Sequence, residues 1–170
     1  MKYKARLLGR PELFVDGTPY IFTFKKAQIL ALMLVEERSM SKDKICEYLW
    51  SDKTIEKARR NLSNAVSCIK KVLPVNIAGG VISIGDNVKI ERDVDLIARI
   101  DSLGWSEISE LCSPFMDSAD VDDWGAFSDW LLPKRQHYHN LLVKNLKKRA
   151  PTQLPGLAQN RFEDAPPCYE

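Results

Sequence analysis

The sequence predicts an α+β fold: a small antiparallel sheet at the amino terminus, three helices, a β-hairpin and a short all-helical segment. Three observations predict it. Residues 2–24 alternate short aromatic and β-branched runs with turn residues. Residues 25–73 carry apolar side chains at helical spacing. Residues 75–90 return to short apolar runs separated by Gly and Asn.

The elements follow in order. Tyr3–Leu8, Glu12–Val15 and Pro19–Phe24 read as strands, with Gly9-Arg10-Pro11 as a break and Asp16-Gly17 as a hairpin turn. Lys25–Glu37 is apolar nearly all round. A buried strand competes for so continuous a run, but its length and its Ala and Leu content predict a central core helix. Arg38-Ser39-Met40 is a link. Ser41 is placed to cap a helix over Lys42–Trp50 that buries Ile45, Cys46, Leu49 and Trp50. Asp52 or Thr54 caps the next helix, and Pro74 ends it. Gly85–Asn87 is the expected tip of a hairpin over Val81–Ile90. Beyond it, helices are expected from Asp93 to about Leu103, over Ser106–Cys112, and from Asp123 to Arg149 with an end or kink at Pro133.

The helix over Lys57–Leu73 organises the rest. Ala58, Leu62, Ala65, Val66, Ile69 and Leu73 form one stripe of a 3.6-residue helix. The opposite face carries Lys57, Arg60, Asn64, Ser67 and Lys71, flanked by Asn61 and Cys68, and no acid. An ordinary solvated helix face mixes both charge signs. Arg and Asn side chains match guanine and adenine edges in a major groove, and Lys and Ser suit phosphates. The plain alternative is a solvated basic helix with no partner.

Composition is that of a globular chain: 170 residues, 45% hydrophobic and 28% charged, enough for one sizeable core or two small ones. No apolar run approaches the roughly 20 residues that span a bilayer, and the amino terminus lacks the apolar stretch of a signal peptide. Cytoplasmic residence and no membrane partner are therefore expected. The net charge of +2 is unevenly placed: +7 over residues 1–92, −3 over 93–150 and −2 over 151–170. A basic first part followed by an acidic one predicts a polyanion-binding unit joined to something with another task.

The order sheet, helix, helix, basic helix, hairpin resembles a winged helix-turn-helix of the OmpR type. More closely it resembles the antibiotic-regulatory (SARP-like) bacterial transcriptional activators. The residues that carry the likeness occur in family order. They are Leu8-Gly9, Val15-Asp16-Gly17, Lys26 with the Ala27–Leu34 core, and Ser41 with Ile45 and Leu49-Trp50. Then come Ala58-Arg59-Arg60-Asn61-Leu62 and Ile69-Lys70-Lys71-Val72-Leu73 as the recognition helix. Val94-Asp95-Leu96, and Trp130 with Arg135, resemble the opening of the family's transcriptional activation domain.

The resemblance implies a DNA-binding domain over 1–92 and a helical segment over 93–150, and residues 151–170 read as a disordered tail. It implies a regulator of transcription that binds double-stranded DNA by a recognition helix and a wing, with RNA polymerase as a protein partner. The DNA-binding residues expected are Lys57, Arg60, Asn61, Asn64, Ser67, Lys70, Lys71, Lys89 and Arg92, with Lys25 and Lys26 as weaker phosphate contacts. A module of the same fold that binds only proteins is the alternative. Uncovered apolar surface on the helical segment predicts self-association into a homo-oligomer.

No catalytic role, cofactor or metal is expected. His137 and His139 lie about 200° apart around a helix, so they cannot share a metal. Asp120, Asp122 and Asp123 lack the glycine and distal glutamate of a calcium loop and read as a helix start. Gly79-Gly80 lacks the following Lys-Ser or Lys-Thr of a phosphate loop. The four tryptophans read as core residues. Cys46, Cys68, Cys112 and Cys168 are too scattered for a disulfide framework or zinc site.

Overall fold

The computed structural model describes residues 1–119 and 126–153, with side chains to residue 149. The expected helix start at Asp123 with Trp124, the acids Asp120 and Asp122, Cys168 and most of the predicted disordered tail lie outside the described residues.

The fold is mixed α+β. Strands β1 (Tyr3–Arg6) and β2 (Glu12–Val15) pair antiparallel, joined to the short β3 (Thr18–Pro19) by Asp16-Gly17. Both turn residues have positive φ, 49° and 85°, as a two-residue hairpin requires. The strand expected over Pro19–Phe24 stops at Pro19. Tyr20, Phe22 and Phe24 instead form the lead into the first helix, with Tyr20 and Phe22 edge to face at 4.8 Å.

Helix α1 spans Lys25–Glu37 and buries every residue from Ile29 to Val35. The link after it is a strand, β4 (Ser39–Ser41), which three residues with a single apolar side chain, Met40, are too few to reveal by periodicity. Ser41 then caps α2 (Lys42–Trp50), its hydroxyl accepting from the Lys44 amide at 3.3 Å. Ile45, Leu49 and Trp50 are buried and Cys46 is half-buried. Helix α3 covers Ile55–Ile69, starting two residues earlier and stopping four residues sooner than the sequence suggested.

The hairpin differs from expectation. Strands β5 (Val75–Ala78) and β6 (Val81–Ile84) pair across a tip at Gly79-Gly80, where φ is 55° and 77°. β4 joins the far side of β6, giving a sheet of order β4-β6-β5. Gly85–Asn87 is the exit from that sheet. It leads to β7 (Ile90–Arg92), which pairs in parallel with β1. The amino-terminal sheet, of order β3-β2-β1-β7, is thus antiparallel over three strands and parallel at the fourth.

After β7 the chain forms a 3-10 segment, Asp93–Ser102, broken at Arg99, then α4 (Trp105–Leu111) and α5 (Phe127–Gln153). Pro133 does not end α5. It removes the donor to the carbonyl of Asp129, an exposed residue near the helix start, where water can take that bond. The helix also runs two residues past Pro151.

This second part is fastened to the first. The Asp93 carboxylate accepts from the amides of Leu7, Leu8 and Val94 at 2.8, 2.8 and 2.9 Å. Burial raises its pKa against the pull of those three donors. Leu8 bridges to Phe115, and Arg135 donates to the carbonyls of Phe115 and Met116 at 2.9 and 3.0 Å. The core is one continuous cluster from Ala5 through Ile29 and Leu62 to Phe115, Trp130 and Leu142. No helix among the described residues is long and apolar enough to cross a membrane.

Candidate nucleic-acid interface

Helix α3 is held by its apolar stripe. Ala58, Leu62, Ala65, Val66 and Ile69 are buried against α1 and α2, and Val72 and Leu73 continue the stripe beyond the helix end. Thr54 is the cap, accepting from the Lys57 amide at 3.4 Å, while Asp52 instead pairs with Lys53 at 2.6 Å. With one side fixed, the other must face water.

That outer side carries most of the residues read from the sequence. Lys57, Arg60, Asn64, Ser67, Lys70 and Lys71 are all exposed, and Asn61 is half-buried at the flank. Lys57, Arg60, Lys70 and Lys71 make no ion pair among the described residues. Ser67 donates its hydroxyl to the Ser63 carbonyl one turn back at 2.9 Å, which leaves its lone pairs to accept. The earlier helix start adds Glu56 to this face, so it holds one acid where the sequence reading counted none.

The hairpin stands beside the helix. Its tip is tied to α2 by the Lys42 amide, which donates to the Gly80 carbonyl at 2.9 Å. Between α3, the start of α2 and the hairpin lies a cleft of about 540 Å³. Leu62, Val66 and Ile82 form its floor, and Lys42, Arg59 and Lys70 bring three cations to it. Arg59 is bridged to Asp43 of α2 at 3.5 Å; both are well exposed, so this pair is weak and open to competition. Arg59, Lys42 and Ser63 were missed by the sequence reading. Arg59 and Ser63 lie off the centre of the helix's polar arc, and only the position of the hairpin makes that flank a cleft.

Four expected contacts lie elsewhere. Lys89 is exposed, but it belongs to the connection between the hairpin and β7 and not to the hairpin. Arg92 binds Glu36 at 3.1 Å and Asp95 at 2.6 Å, and the Asp95 hydrogen bond raises its pKa further. It holds the fold together and is not offered to a ligand. Lys26 donates to the Leu49 carbonyl at the end of α2 and lies 5.6 Å over the Trp50 ring; burial lowers its pKa. Lys25 donates to the Ser118 carbonyl at 2.9 Å.

No family model matches the chain, and no curated protein matches it. Among solved structures it is similar to Mycobacterium tuberculosis EmbR, in a structure described as a complex with a low-affinity phosphopeptide. The TM-score is 0.62 at 19% identity. The match covers 88% of this chain and 45% of that one, so this chain spans less than half the length of its structural neighbour. What the two share at that identity is the fold.

Proposed function

We propose that this protein is a cytoplasmic regulator of transcription that binds double-stranded DNA in a sequence-specific manner. Helix α3 enters the major groove and the β5–β6 hairpin acts as the wing. The observation that carries the reading is the outer face of α3 and of the turn that follows it, with four exposed cations that make no ion pair among the described residues. A fold shared with EmbR and the motifs that resemble the SARP-like activators support it.

Each residue has a role in this reading. Arg60 and Asn64, near the middle of the face, take base edges. Lys57 and Lys71, toward its two ends, take phosphates of the strands that flank the groove, and Lys70 takes the strand on the cleft side. Ser67 and the flanking Asn61 complete the face. Arg59 and Lys42 join Lys70 in the cleft, where the backbone between major and minor grooves passes. Residues 1–92 form the DNA-binding unit, and the helices from Asp93 onward serve a protein partner, either RNA polymerase or a second copy of the chain.

The test is selection from a random pool of duplex DNA with the full chain, followed by affinity measurements over a salt series. One enriched motif is expected, with affinity falling steeply as salt rises because several phosphate contacts release counterions. No enrichment, together with affinity that ignores salt, overturns the reading and leaves a protein-interaction module of the same fold.

A further inference from the structure

The proposed reading face begins with an acid. Glu56 is the second residue of α3 and exposed, and its carboxylate makes no ion pair or side-chain hydrogen bond among the described residues. It is not a capping residue. Thr54 is the cap, and the position from which a capping-box acid reaches back is occupied by Lys57. What remains for the fold is the weak, salt-screened attraction of an exposed acid for a helix start and for Arg60 one turn further on.

Its direction is informative. At about 100° per residue, Glu56 lies within about 40° of Arg60 and about 20° of Ser67. It therefore sits on the outer face at its edge toward the cleft, between Ser67 and Ser63. A carboxylate there repels every phosphate that approaches, which weakens binding to all DNA alike. It becomes favourable only opposite a hydrogen-bond donor, because an ionised carboxylate only accepts. In the major groove guanine presents acceptors, thymine an acceptor and a methyl, and adenine a donor beside the N7 acceptor. Cytosine presents its N4 amine with no acceptor beside it.

We infer that Glu56 is a specificity-determining residue of α3, accepting a hydrogen bond from the exocyclic amine of a cytosine. The inference rests on the reading of α3 as the helix in the groove. Arg60 stands one turn further on, a rise of about 6 Å. That is less than two base-pair steps of about 3.4 Å, so the cytosine lies within two steps of the base that Arg60 takes. Glu56 also acts by exclusion, since guanine or thymine at that position places acceptor against acceptor.

The experiment uses the full chain and its Glu56→Ala and Glu56→Gln variants, with thermal melts to show that all three are folded. Each is taken through selection from a random duplex pool. Affinities are then measured for the selected duplex, its single-base variants and bulk DNA at low salt. The parent should prefer cytosine at one position. Glu56→Ala should lose about tenfold of that discrimination and bind bulk DNA severalfold more tightly, since a repulsive charge is gone. Glu56→Gln should move the preference at that position from cytosine toward adenine, whose N6 and N7 pair with an amide. If Glu56→Ala keeps the full cytosine preference, Glu56 is only an acid at a helix start and the inference is overturned. If the parent itself selects nothing, the reading of α3 fails and takes this inference with it, which is evident before any variant is compared.

Discussion

Two sets of cations in this protein are chemically alike and structurally opposite. On the outer face of α3 and the turn after it, Lys57, Arg60, Lys70 and Lys71 stand in solvent without an acid partner among the described residues. At the seam between α1 and α5, Arg92 and Lys134 converge on Glu36, at 3.1 and 3.2 Å, and the Tyr138 hydroxyl donates to the same carboxylate at 2.6 Å. Glu37 takes Lys134 at 2.8 Å and the Trp130 indole at 2.9 Å. Burial opposes charge on Lys134, yet Glu37 and Glu36 outweigh it and raise its pKa. Burial and the Glu36 bond likewise raise that of the Tyr138 phenol. The difference teaches that a Lys or Arg is available to a ligand only if the fold has not already matched it. At the seam the acids do the matching, and the result is docking of α5; on α3 no acid among the described residues does so.

The comparison is broken most severely from inside α3. Leu62→Ala, at the centre of the buried stripe, should cost about 2–5 kcal/mol of stability and reduce DNA binding only through the unfolded fraction. Denaturant unfolding and affinity under fully folding conditions separate the two effects. Next, Glu36→Ala leaves Arg92 with Asp95 and Lys134 with Glu37 but takes the acceptor from the Tyr138 hydroxyl, and should cost about 1–3 kcal/mol. A denaturation midpoint equal to the parent's would show that the seam contributes nothing. DNA affinity of the folded Glu36→Ala protein should change less than its stability does.

The outer face responds in the opposite way. Arg60→Ala should leave the melting temperature near the parent's and weaken binding to the selected duplex by about tenfold or more, with relaxed preference at one base pair. Unchanged affinity there would show that α3 is not the reader. The smallest effect is expected for Lys71→Ala, which should weaken binding to all sequences alike. Its plot of log affinity against log salt should be shallower by about one unit. A loss confined to one sequence would move Lys71 from the phosphates to the bases.

Much of the scaffold was legible because its signals are local. Helix α1 over Lys25–Glu37, α2 over Lys42–Trp50 and β2 over Glu12–Val15 fall where periodicity put them. The Ser41 cap and the Asp16-Gly17 turn depend on residues within one turn of themselves. The polar face of α3 was visible for the same reason, since a helix turns the order of its residues directly into direction. The hairpin tip was misread between two glycine-containing turns. Gly79-Gly80 lies between strands that pair with each other, while Gly85–Asn87 lies between strands that belong to different sheets.

By itself, then, the sequence determined which residues of α1 and α3 are buried and where α1 and α2 begin, because hydrophobic spacing and caps act within a few residues. Only the tertiary structure decided that β7 pairs with β1 across more than eighty residues, that β4 adds to the hairpin, and that Arg92 meets Glu36. It also decided that Arg59 overlooks a cleft. Strand pairing and ion pairing of this kind are set by backbone donors and charges far apart in the chain, and no local pattern of side chains encodes which of them will meet.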